Sequence, residues 1–88
     1  MLQYRVLFQP SADRALKKLP ENVQRRIVAE VAMLAHNPRP TGVIKLAGAE
    51  NLWRIRIGDY RVVYEIHDDR LIVLVLRVAH RKDVYRGT

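Results

Sequence analysis

The sequence predicts a small α+β domain, ordered βααβββ, with a two-helix hairpin packed on one face of a four-stranded, mainly antiparallel sheet. Three observations carry this. Residues 12–34 place apolar side chains at helical spacing, residues 51–79 place them at strand spacing between turn residues, and an extended stretch precedes both. The 88 residues suit one domain, read as 1–88, with a single modest core.

Residues 2–8, LQYRVLF, alternate loosely and read as the first strand. Pro10 and Ser11 break that pattern, and Ser11 is the expected cap of a helix with Ala12, Ala15, Leu16 and Leu19 on its apolar side. Pro20 suits the first turn of a second helix, where its missing N–H costs nothing. Val23, Ile27, Val31 and Leu34 then form one stripe, and Pro38 stops the helix near Asn37. Residues 38–50 read as a loop with a short extended piece around Val43–Leu46. Strands follow at about 51–57, 60–67 and 70–79, joined by two-residue turns at Gly58-Asp59 and Asp68-Asp69. The last strand is apolar on both faces and should be central in the sheet.

Charge narrows the function. Sixteen Lys+Arg against nine Asp+Glu give a net +7, which points to a polyanionic partner, a nucleic acid or an acidic protein. The absence of cysteine rules out disulfides and thiolate chemistry. His36 and His67 lack partners at metal-ligand spacing, so no metal or other cofactor is expected. The N-terminus lacks the build of a signal peptide, and the longest apolar run, LIVLVL at 71–76, is far short of a membrane span. A soluble, cytoplasmic protein is expected.

The Gly58-Asp59 turn fixes a register: Ile57 opposite Tyr60, Ile55 opposite Val62, Arg54 opposite Val63 and Arg56 opposite Arg61. Trp53, Ile55, Ile57, Tyr60, Val62 and Tyr64 then share the face that meets the helices, while Arg54, Arg56 and Arg61 share the other. Like charges directly opposite destabilise a sheet. Converging guanidinium groups also hold a phosphate well, since each planar fork meets two oxygens. Neutralisation by Glu65 or by the C-terminal tail is the competing reading. That tail, RVAHRKDVYRGT, adds His80, Arg81, Lys82, Tyr85 and Arg86 just beyond the last strand; where the chain crosses the open face they ring the same patch, and cations interleaved with an aromatic ring suit RNA.

The segments KLAG, LWRIRIGDYRVVYEI and VLRVAHRKDVY resemble the RelE family of the RelE/ParE toxin superfamily, and the resemblance covers nearly the whole chain. It implies a type II toxin that enters the ribosomal A site and cleaves mRNA without a metal. The messenger's own 2′-OH attacks the adjacent phosphate, leaving a 2′,3′-cyclic phosphate and a 5′-OH. An acidic RelB-like antitoxin is the implied partner. By the same resemblance Arg61 stabilises the pentavalent phosphate, Arg81 assists charge stabilisation and leaving-group protonation, and Tyr85 stacks on or orients a base. Lys45, Lys82 and Arg77 are expected RNA contacts. Arg54 and Arg56 stand where well-studied members carry two lysines, one a proposed general base, and Ala47 stands where some carry a basic residue. Arginine is effectively never deprotonated, so it is a poor base. Either charge stabilisation carries the reaction or another group takes the proton, with His80 the nearby candidate. A ParE-like inhibitor of DNA gyrase and an inactive antitoxin-binding member are the alternatives.

Overall fold

The computed structural model describes residues 3–48 and 50–82. Strand β1 (Arg5–Phe8) leads into α1 (Pro10–Lys17) and α2 (Glu21–Ala32), which ends in a 3-10 turn at Met33–Ala35. Strands β2 (Ile44–Lys45), β3 (Leu52–Ile57), β4 (Tyr60–His67) and β5 (Ile72–His80) follow. The sheet order is β1-β5-β4-β3-β2. Parallel neighbours need a long crossover, and the helical hairpin supplies it between β1 and β5, the one parallel pair among the described strands. β5 lies between β1 and β4, the central place its two apolar faces predict.

The sheet has five strands where four are expected. The added strand is the two-residue β2, which pairs Ile44 with Arg54 and Lys45 with Trp53. Two residues are too few to show a period, so only the short extended piece is visible in the sequence. The helix starts also differ. Gln9 is the N-cap of α1 and Pro10 opens its first turn, so Ser11 lies inside the helix and does not cap it. Pro20 is itself the N-cap of α2, held extended at φ −54° and ψ 147°. Its carbonyl accepts from the Val23 and Gln24 N–H groups at 3.0 and 2.9 Å. The Gln24 side chain reaches back 2.7 Å to the Leu19 carbonyl and so binds the junction between the helices.

The first described strand runs over Arg5–Phe8, shorter than the 2–8 expected. The β4–β5 connection is a four-residue loop, 68–71, and not a two-residue turn at Asp68-Asp69. Arg70 N–H bonds the His67 carbonyl at 3.2 Å and Leu71 follows with φ +53°. A turn closed by a left-handed residue is a common longer hairpin loop, in which aspartates fit the two central positions.

The core lies between the helices and one face of the sheet. Ala12 and Leu16 of α1, with Ile27 and Val31 of α2, pack on Ile55, Ile57, Val62, Tyr64, Ile66, Val73, Val75 and Val78. Burying each large apolar side chain contributes about 1.5–3 kcal/mol. Tyr64 is fully buried, and its hydroxyl donates to the Pro38 carbonyl at 2.7 Å. Burial pushes that hydroxyl up to a pKa of about 12. Among the described residues no helix is long and apolar enough to cross a membrane.

Candidate functional site

The face of the sheet away from the helices carries the arginines. The register is the one the Gly58-Asp59 turn implies: Arg56 opposite Arg61, Arg54 opposite Val63 and Trp53 opposite Tyr64. Across β4 the rows extend to β5, where Arg61 meets Ala79 and Val63 meets Arg77. Two neighbouring rows, Arg54–Val63–Arg77 and Arg56–Arg61–Ala79, therefore bring four guanidinium groups onto one face around the short side chains of Val63 and Ala79. Arg56 is exposed while Arg54, Arg61 and Arg77 are half-buried. The β-strand period of two puts them there, because their neighbours Ile55, Ile57, Val62 and Val78 are drawn into the core.

Arg77 and His80 take their places from a β-bulge. Val63 pairs with Arg77 but Tyr64 pairs with Val75, so β5 holds one extra residue at this point. The extra residue reverses the alternation of β5, as one-residue insertions do. Before it Val73 and Val75 face the core; after it Val78 does, and Arg77 joins the arginine face. His80 lands on the helix side, opposite Tyr60, with the two rings edge-on at 5.3 Å between centroids. The structure therefore separates His80 from the arginines it is expected to accompany.

The other expected site residues divide similarly. Lys45 pairs with Trp53 and lies on the helix side of the sheet, its Nζ 5.8 Å from the Trp53 ring centroid. It is not brought to the arginine face. Arg81 and Lys82 follow β5 at the sheet's end, both exposed, with the Arg81 N–H bonding the Asp59 carbonyl at 2.8 Å. This bond sets Arg81 beside the β3–β4 turn. Tyr85 and Arg86 lie outside the described residues. Glu65 shares the open face with the arginines, two residues along β4 from Val63, and contacts His67, Oε1 to Nε2, at 2.9 Å. Among the described residues, no three His, Asp or Glu side chains are grouped to hold a metal ion.

Sequence reasoning misses two supports of the site. Arg26 reaches the turn between the arginine strands from the helix side, its Nη1 lying 3.0 Å from where a Cβ at Gly58 would sit. Gly58 has φ +59°, which the turn requires, and its carbonyl accepts from Arg56 Nε at 3.4 Å. At the other end of the sheet, Asp68 accepts from the Tyr4 hydroxyl and pairs with both Arg39 Nη atoms, Nη2 at 2.8 Å. Arg39 in turn covers the Trp53 ring at 4.9 Å. The hydrogen bonds from Arg39 and Tyr4 hold the Asp68 carboxyl down to a pKa of about 2. A Gly-Asp pair between strands signals the turn, but no spacing rule reaches from Arg26 to it.

The chain has clear relatives. A family model described as the ParE toxin of the type II toxin-antitoxin system, parDE, matches residues 6–85. Toxin RelG of Mycobacterium tuberculosis is 36% identical over 87 residues, covering 97% of this chain and 99% of the relative. Toxin RelE of the same organism is 37% identical, with 94% and 87% covered. Among solved structures, the RelE–RelB complex of Pyrococcus horikoshii superposes with a TM-score of 0.80 at 33% identity, covering 90% of this chain and 96% of that one. The RelBE2 toxin–antitoxin complex of M. tuberculosis gives 0.81 at 33% identity, covering 92% and 94%.

Proposed function

The chain belongs to the RelE family of type II toxins, within the RelE/ParE superfamily, and from that premise we propose that it is a ribosome-dependent mRNA endoribonuclease held in check by a RelB-like antitoxin. The observation that carries the reading is the placement of Arg54, Arg56, Arg61 and Arg77 on two adjacent cross-strand rows of one sheet face. Four cations that cannot deprotonate are a poor proton relay and a strong charge sink.

The reaction suited to such a face is an internal transesterification. The 2′-oxygen of a messenger nucleotide forms a bond to the adjacent phosphorus, the bond from phosphorus to O5′ breaks, and one proton leaves the 2′-OH as another arrives at O5′. Charge accumulates on the equatorial oxygens of the pentavalent phosphate. Arg61, at the centre of the cluster, is the group we assign to it, with Arg54, Arg56 and Arg77 sharing the load. Arg81, beside the turn, lies on the rim where the leaving oxygen can be reached. The 2′-OH proton passes to solvent or to ribosomal RNA, since neither Arg54 nor Arg56 can accept it.

Some of the superposable RelE structures, those from Pyrococcus horikoshii and Methanococcus jannaschii among them, are complexes with RelB. An acidic chain suits a +7 partner, and we infer an antitoxin of that kind here.

Purified ribosomes programmed with a defined mRNA test the proposal. Cleavage should require the ribosome and should leave 2′,3′-cyclic phosphate ends. Arg61→Ala should lower it about 10²–10³-fold, the usual loss on removing one charge-stabilising donor. The ParE description of the matching family model favours one other reading, inhibition of DNA gyrase. Loss of supercoiling activity with intact messenger would select it.

A further inference from the structure

The bulge that sends His80 to the helix side also builds a second basic surface there. A cleft of about 640 Å³ opens between α1 and the end of β5, lined on one wall by α1 with Arg14 and Lys18, and on the other by Tyr60 and by β5 from Leu76 to His80, Arg77 included. This volume lies in the range of small-ligand sites. Among the described residues no carboxylate lines it. The nearest acid on α1, Asp13, is paired with Lys17 at 2.9 Å, which leaves Arg14 and Lys18 as the cations of this wall. His80 Nδ1 accepts from the Lys82 N–H at 3.3 Å, so the neutral ring carries its own proton on Nε2 as a donor.

The cleft and the arginine face adjoin along β5 at one end of the sheet, where Arg77 and Ala79 border both. Tyr60 and Arg61 are consecutive on β4, as are Ala79 and His80 on β5, and strand alternation sends each pair to opposite faces. The rim between them is the short span where Arg81 N–H bonds the Asp59 carbonyl, followed by exposed Lys82. Cations run from the arginine face over this rim into the cleft.

We propose that the cleft is a second RNA site, which takes a nucleotide of a single-stranded RNA after the strand has turned around the sheet's end from the arginine face. Aromatic and imidazole rings beside two cations match a base and its phosphates better than an acidic peptide, which would use the charges and not the rings. The proposal rests on the RNA reading of the arginine face and adds where the strand goes next.

Fluorescence anisotropy with a labelled RNA single strand of about ten nucleotides, long enough to span both faces, tests it on the wild type and on Arg14→Glu/Lys18→Glu. Both side chains are exposed, and a thermal melt of Arg14→Gln/Lys18→Gln checks that charge and not folding is responsible. The charge reversal should weaken binding at least tenfold. The neutral variant should lower the slope of log affinity against log salt by about 1.4, roughly 0.7 for each of two phosphates left unneutralised. Unchanged affinity and slope would overturn the proposal, as would loss of antitoxin binding with RNA binding intact, which would assign the cleft to an acidic protein. Ribosomal cleavage is read in parallel. No cleavage by a wild type whose RNA binding still depends on Arg14 and Lys18 would sink the nuclease reading and leave the cleft standing.

Discussion

Arg56 and Arg61 stand directly opposite each other across the β3–β4 hairpin, two like charges at a position where a sheet ordinarily places an attractive pair. Such a pairing ordinarily costs stability, and it concentrates charge where a phosphate can bind. Replacing Arg56 with Glu should therefore separate the two effects. We expect the variant to gain about 0.2–1 kcal/mol in urea unfolding, while cleavage on the ribosome falls at least tenfold. A variant that loses stability would show that the pair is not repulsive in the folded protein.

The turn that holds this pair depends on Gly58. At φ +59° a residue with a side chain incurs backbone strain, and a Cβ would also press Arg26 Nη1 at 3.0 Å. The guanidinium is the far end of a flexible side chain and can move, so the backbone term dominates. Gly58→Ala should cost about 1–2 kcal/mol, whereas Gly58→Asn, which tolerates the left-handed region, should cost less. Chemical denaturation of the two variants in the wild-type and Arg26→Ala backgrounds measures both terms. A loss on Gly58→Ala that disappears with Arg26→Ala would mean that the contact, not φ, sets the cost.

His80 lies on the far side of the sheet from the arginines, so it should not govern proton transfer there. The pH profile of ribosomal cleavage should keep its limbs at the same pH in His80→Gln, even where the rate itself falls through weaker RNA binding. A limb that vanishes in the variant would return His80 to the reacting centre.

Periods and turn residues make much of this legible in the sequence. The helical stripe, the hairpin register and the central last strand all follow from them, and Arg54, Arg56 and Arg61 fall on one face by the same arithmetic. What escapes is whatever breaks a period or spans a distance. The bulge in β5 adjoins LIVLVL, where apolar residues on both faces hide a change of phase, so an alternation carried unbroken through it would put both Arg77 and His80 on the wrong face. Lys45 sits on a strand of two residues, too short to reveal its face. Arg26 reaches Gly58 from a distant helix through side-chain length alone.

The Tyr4–Asp68–Arg39 cluster ties the start of β1, the β4–β5 loop and the segment after α2 together, and it should give the fold an acid limit. The Asp68 carboxyl titrates at about 2 in the folded protein and near its ordinary 3.8 when unfolded. A depressed carboxyl contributes stability that is fully present above the unfolded value and is lost as pH falls through the folded one. Stability should therefore decline between about pH 4 and 2 through this group. Asp68→Asn should be less stable than the wild type at neutral pH, and the gap should close within that window. Because the pair is open to solvent, salt at about 1 M should narrow the gap at neutral pH as well. Parallel thermal melts from neutral pH down through the window decide it. A gap that stays constant to the acid end would mean that Asp68 acts through the shape of its loop and not through its charge.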